Sequence, residues 1–203
     1  DLLIEGGANI NAVDHHGYTA LMHMAQFGAK EIVDLLLDAF DDLDVNAKNS
    51  NGDTALILAI KAGHNGVAAS LLEYLFIDDD VKDKNGLTAL MHAAKTGNEA
   101  IADLITDIGV ADINAKDNDG NTALMYAVSN GSVDIASLLI EEGADITATN
   151  FRQGWQQKTH PRKNKIPKHK KPHLKWGFGF FLQFFIVNQL EFFNAHLKYE
   201  SCV

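Results

Sequence analysis

The sequence predicts an all-α solenoid of helix-turn-helix units with projecting β-turn fingers. Three observations carry that reading. A Gly-x-Thr-Ala-Leu motif recurs at residues 17–21, 52–56, 86–90 and 120–124, with spacings of 35, 34 and 34 residues. A fixed period of this length marks stacked units, none of which can bury its apolar face alone. Each motif opens an apolar stretch of helical period that a glycine closes (Gly28, Gly63, Gly97, Gly131), and a second such stretch follows. Each motif glycine also ends an Asx-x-x-Gly turn, at Asp14–Gly17, Asn49–Gly52, Asp83–Gly86 and Asp117–Gly120.

The elements follow in order. Asp14, Asn49, Asp83 and Asp117 can bond backbone two residues on, and glycine at the fourth place suits a type I turn. A second Asx precedes each by three residues: Asn11, Asn46, Asp80 and Asn114. Thr19, Thr54, Thr88 and Thr122 are N-caps, each worth about 1 kcal/mol. The first helices that they start are rich in Ala, which lets backbones approach closely. The closing glycines suit a left-handed residue past the helix end. The second helices are rich in Leu and Ile. In Glu31–Leu37 the pattern puts Ile32, Leu35 and Leu36 on one face, with Val33 and Leu37 on its flank. Residues 100–105 and 133–140 repeat that pattern.

Helix, glycine turn, helix and Asx-rich finger in this register resemble the ankyrin repeat, over about residues 1–150. The resemblance departs from the usual Thr-Pro-Leu-His. Ala20, Ala55, Ala89 and Ala123 replace Pro, and Met22, Ile57, Met91 and Met125 replace His. The polar tie that the family's His makes is therefore absent, and packing substitutes for it. The glycine usual at the end of the second helix is present as Gly7, Gly109 and Gly143. In two units Asp41, Asp42 and Asp44, or Asp78, Asp79 and Asp80, stand there instead, against the helix dipole. Leu2–Ala8 match the end of an upstream second helix, and Gly143–Asn150 begin a fifth finger.

The resemblance implies a non-catalytic protein-interaction scaffold that meets partners through finger tips and first helices. Carried over, it gives the finger positions Val13, His15, His16 and Tyr18; Lys48, Ser50, Asn51 and Asp53; Lys82, Lys84, Asn85 and Leu87; Lys116, Asn118, Asp119 and Asn121. It gives the helix ends Gln26 and Phe27, Lys61, Lys95 and Thr96, Ser129 and Asn130. Residues 1–150 hold 7 Lys/Arg against 25 Asp/Glu, a net charge of −18, and every one of those lysines except Lys30 is among these positions. That distribution points to an acidic or phosphorylated partner segment, while lysine on exposed fingers also serves solubility. Tyr18 and Phe27 offer an aromatic anchor. Other classes stay open: the targeting part of a larger signalling enzyme such as a kinase or ligase, or a membrane or cytoskeletal adaptor acting through the tail. Nucleic-acid binding is not expected of the array.

No catalytic or metal constellation is expected. His15, His16 and His23 lack a completing ligand. Asp42-x-Asp44-x-Asn46 with Asp53 lacks the glycine and the final Glu of a calcium loop. There is no phosphate-binding loop and no nucleophile elbow, and no cofactor is expected. The lone Cys202 excludes an intrachain disulfide framework and fits an intracellular, cytoplasmic setting, with the nucleus as an alternative. The chain opens on Asp1 without a basic n-region, so no signal peptide is expected, and the start reads as internal to a longer protein.

Residues 151–203 are a different kind of sequence, a basic then aromatic tail expected to lie outside the solenoid. They carry 10 Lys/Arg, 2 Asp/Glu and 8 of the 11 Phe. The apolar run 176–187 is too short for an ordinary membrane span. A basic cluster beside aromatics suits an anionic membrane surface, nucleic acid or nuclear addressing. The abrupt change of composition equally fits a splice end or a frame error.

Overall fold

The computed structural model describes residues 9–74, 77–109 and 111–151. The chain divides into two units, Asp1–Asn150 and Phe151–Val203. Of the second only Phe151 is described, so the expectations for the tail, and for Leu2–Ala8, lie outside the described residues.

Eight helices form four hairpins among the described residues: α1 (Ala20–Phe27) with α2 (Lys30–Ala39), α3 (Ala55–Ala62) with α4 (Asn65–Leu72), α5 (Ala89–Thr96) with α6 (Glu99–Ile108), and α7 (Ala123–Asn130) with α8 (Val133–Glu141). First helices stack on first helices, second on second, and each pair packs on itself. The result is two parallel rows with one continuous core.

The starts and stops are those the residues dictate. The hydroxyls of Thr19, Thr54, Thr88 and Thr122 each accept the backbone N–H three residues on, at 3.2–3.4 Å. Gly28, Gly63, Gly97 and Gly131 close the first helices in the left-handed region, with φ between 72° and 78°. Ala25, Ala59, Ala93 and Ala127 are wholly buried where the first helices meet. Leu71, Ile105 and Leu139 fill the volume of the second row, each burial stabilising by about 2 kcal/mol.

One facing differs from expectation. In α2 the buried residues are Val33 and Leu36, whereas Ile32 and Leu35 are 47% and 53% exposed. The counterparts of Ile32, namely Val67, Ile101 and Ile135, are buried. Helices α4, α6 and α8 each have a preceding second helix to pack against. Helix α2 has none among the described residues, so the residues turned that way stay in solvent.

Candidate functional site: the finger and first-helix surface

Each finger is a hairpin built on one carboxylate or amide. In the first, the Gly17 N–H donates to the Asp14 carbonyl at 2.9 Å, and the Asp14 N–H to the Tyr18 carbonyl at 3.0 Å. The Asp14 side chain accepts the N–H groups of His16 and Tyr18 at 2.8 and 2.9 Å. Asn49, Asp83 and Asp117 do the same in their own fingers. The turn glycine lies in the left-handed region and nearly touches the next finger. A Cβ on Gly52 would fall 2.8 Å from the Lys84 nitrogen.

Fingers are joined edge to edge. The N–H groups of Ser50, Lys84 and Asn118 donate to the carbonyls of His16, Asn51 and Asn85, at 2.9–3.0 Å. Behind them the second Asx set bridges neighbouring units. The Asp44 N–H donates to Asn11, Asp78 to Asn46, Asp112 to Asp80 and Asp145 to Asn114. The last of these docks the start of the fifth finger on the fourth unit.

The family's usual His position is filled by Met22, Ile57 and Met91, all buried, and by Met125, half-buried. A different tie appears one residue later. His23 Nε2 lies 3.1 Å from Asp14, His92 Nε2 lies 3.0 Å from Asp83, and the Tyr126 hydroxyl donates to Asp117 at 2.5 Å. Each helix therefore grips the side chain at the root of its own finger. The signal was in the sequence as a nine-residue interval, Asp14–His23, Asp83–His92 and Asp117–Tyr126, and the sequence reading missed it. Unit two breaks the pattern with Asn49 and Leu58. There the Asn49 amide nitrogen is buried without a partner.

Lys61 links two units. Its ammonium lies 2.5 Å from Asp53 and 3.7 Å from Asp83. Asp53, Asp83 and His92 bring one ligand-type atom each to within 4.8 Å of one another. The cation that this cluster holds is the lysine itself, so the arrangement is a closed polar lock between fingers two and three. Burial works against the Asp83 charge, but the N–H groups of Leu87 and Asn85 and the His92 ring outweigh it and hold its pKa below the usual value. Burial, with the nearby Lys61 charge, lowers the pKa of His92 and keeps its ring neutral. A neutral ring meets a carboxylate only by donating Nε2–H. Burial, then the bond to Asp117, pushes Tyr126 up to about 12.

The positions chosen from the sequence divide into four groups. His15, His16, Phe27, Lys48, Ser50, Lys82, Lys84, Asn85, Lys95, Lys116 and Asn118 are exposed on fingers and helix ends, with Phe27 at 72%. Tyr18 and Asn121 are half-buried, Tyr18 stacked on His23 and Asn121 donating to Asp117. Asp53 and Leu87 point inward and are each only 4% exposed. Lys61 belongs to the lock. Lys48 and Lys82 reach forward to the carbonyls of Lys82 and Lys116, at 3.4 and 3.0 Å. Lys95 lies 5.7 Å from the centre of the Tyr126 ring.

A family model described as ankyrin repeats (3 copies) matches residues 1–83 and 66–150. The chain belongs to the ankyrin-repeat family. A photoreceptor ankyrin repeat protein of Homo sapiens is 39% identical over 75 residues, covering 36% of this chain and 16% of that protein. An ankyrin repeat protein of Acanthamoeba polyphaga mimivirus is 38% identical over 79 residues, covering 36% of this chain and 48% of its own length. An ankyrin repeat-containing protein of Treponema pallidum is 44% identical over 59 residues, covering 29% of this chain and 19% of that protein. The matched stretch thus spans less than half of each of these relatives. Ankyrin arrays generally act as protein-interaction modules and are typically not catalytic. No helix among the described residues is long and apolar enough to cross a membrane.

Proposed function

We propose that the array binds a protein partner along its finger tips and first-helix ends, and that the bound segment is acidic. The observation that carries the charge preference is the placing of the lysines. The net charge of residues 1–150 is −18, yet Lys48, Lys82, Lys84, Lys95 and Lys116 are all exposed on this one surface. The carbonyls that Lys48 and Lys82 reach accept a hydrogen bond without cancelling the charge. The Lys84 ammonium has no bonding partner among the described residues. Of the lysines on this surface, only Lys61 is paired with a carboxylate among the described residues, that of Asp53. Val13 on the first finger and Phe27 at the end of α1 stand in solvent, and supply an apolar anchor for the same segment.

The test is a titration of the 15N-labelled chain with peptides rich in glutamate or phosphoserine, alongside the variant Lys84→Glu/Lys95→Glu/Lys116→Glu. Chemical-shift changes are expected on residues 82–85, 95 and 116–118. Charge reversal is expected to weaken binding roughly tenfold or more at low salt, mainly through the association rate. These lysines make no ion pair among the described residues, so the melting temperature stays nearly constant. Equal affinity of the variant and the parent would refute the acidic-segment reading.

A further inference from the structure

The junction between the second and third units contains a residue that breaks the internal pattern. Asp79 occupies the register of Val45, Ile113 and Ile10, all apolar and packed in or against the core. It is as deeply placed as they are, at 7% exposed, and its Oδ2 is buried with no hydrogen-bond partner. Three other weaknesses meet there. Helix α4 ends on Glu73 in right-handed helical conformation, without the left-handed glycine that closes α6. Asp80 replaces the usual Asn of the bridging set. Asn11 and Asn114 also donate their amides, to the carbonyls of Asp42 and Gly143, whereas the Asp80 carboxylate only accepts, from Asp112. The charges that act on Asp79 are of one sign, those of Asp80 and Asp78 on the same segment. No basic group among the described residues pairs with Asp79.

We propose that Asp79 is a proton-controlled seam, along which the outer row of the array parts between α4 and α6 before it parts elsewhere. The finger side of the same junction stays fastened by the Lys61 lock and by the bond from Lys84 N–H to the Asn51 carbonyl. The opening is therefore a hinge about the fingers, which alters the spacing of fingers two and three without detaching them. Burial first, then the charges of Asp80 and Asp78, raise the pKa of Asp79. A raised carboxyl stabilises the closed form fully below its ordinary value of 3.8, and that stabilisation is lost as pH rises through the folded value.

Hydrogen exchange followed by mass spectrometry on the full chain tests this. Wild type, Asp79→Val and Asp79→Asn are compared at pH 4 and pH 7.5 after correction for intrinsic exchange. Wild-type protection across residues 65–82 is expected to fall at the higher pH, by about tenfold for each unit that the pKa is raised, while protection of α7 and α8 holds. Asp79→Val is expected to remove that pH dependence and to raise protection at pH 7.5. Asp79→Asn, which keeps the shape and loses the charge, is expected to be pH-independent but less protected than Asp79→Val. The same pH response in Asp79→Val as in wild type, or an equal loss across all four units, would overturn the proposal.

Discussion

The tie between His92 and Asp83 can be measured against a comparison that the chain itself provides. Both side chains are almost fully buried, and Nε2 stands 3.0 Å from Oδ2. At the corresponding places unit two has Leu58 and Asn49. Changing His92 to Leu removes a hydrogen bond to a carboxylate, an interaction worth about 1.5–3 kcal/mol. Asp83 keeps the N–H groups of Asn85 and Leu87 and the Lys61 ammonium at 3.7 Å, so the expected loss is about 2 kcal/mol. For an array of this size that lowers the melting temperature by about 4–8 °C. The double variant His92→Leu/Asp83→Asn reproduces the unit-two pairing, with no charge left uncompensated. It is expected to recover about 1 kcal/mol, a coupling of the size seen for residues in direct contact. Urea denaturation of the four members of the cycle supplies the numbers. If the double variant is no more stable than His92→Leu alone, the tie is not the source of the stabilisation and the reasoning fails.

Two further outcomes follow from the same geometry. The pKa of His92 is lowered from 6.5 by burial and by Lys61, so the folded state resists its protonation. That stabilisation is complete above about 6.5 and fades as pH falls through the folded value. Thermal melts should show a decline below pH 6.5 that is absent in His92→Leu, and an identical decline in both would argue against it. Gly28 and Gly63 have nearly the same φ, 75° and 78°, but a Cβ on Gly28 would meet the His64 ring at 2.6 Å, whereas one on Gly63 meets nothing within 4 Å. Gly63→Ala is expected to cost about 1–2 kcal/mol for the left-handed backbone alone. Gly28→Ala should cost more, because it also displaces the ring whose Nε2 lies 3.1 Å from the Gln26 carbonyl. Equal destabilisation in calorimetry would show that the ring moves aside freely.

The fold was legible because its determinants are local and repeated. Thr19 and its three counterparts cap, the four closing glycines turn, and the Asx roots fold the fingers, each within a few residues of sequence. The facing of α2 was not legible, because a helical period shows that one side is apolar but not which flank a neighbour covers. Ile32 and Val33 are chemically alike, and only the presence of an adjacent helix separates their fates. For the surface, sequence register placed His15, Phe27 and the lysines correctly on fingers and helix ends. It could not tell that Asp53 and Leu87 point inward, since the register is one that Tyr18 and Asn121 share and the side chain decides. Nor could it tell that Lys61 is a structural cation, because both its partners lie in fingers separated from it in sequence.

The bridges between units run in one sense and at intervals of 31–33 residues. Asn11 reaches Asp44, Asn46 reaches Asp78, Asp80 reaches Asp112 and Asn114 reaches Asp145, while each finger takes an N–H from the next. Every unit therefore offers, on its leading side, the groups that its own trailing side requires. A copied unit inserted at a boundary would find both sets of partners already waiting, so the array can lengthen by tandem duplication without new interface chemistry having to evolve. The exception is the unit bearing Asp79, whose duplicate would carry a second buried carboxylate with it.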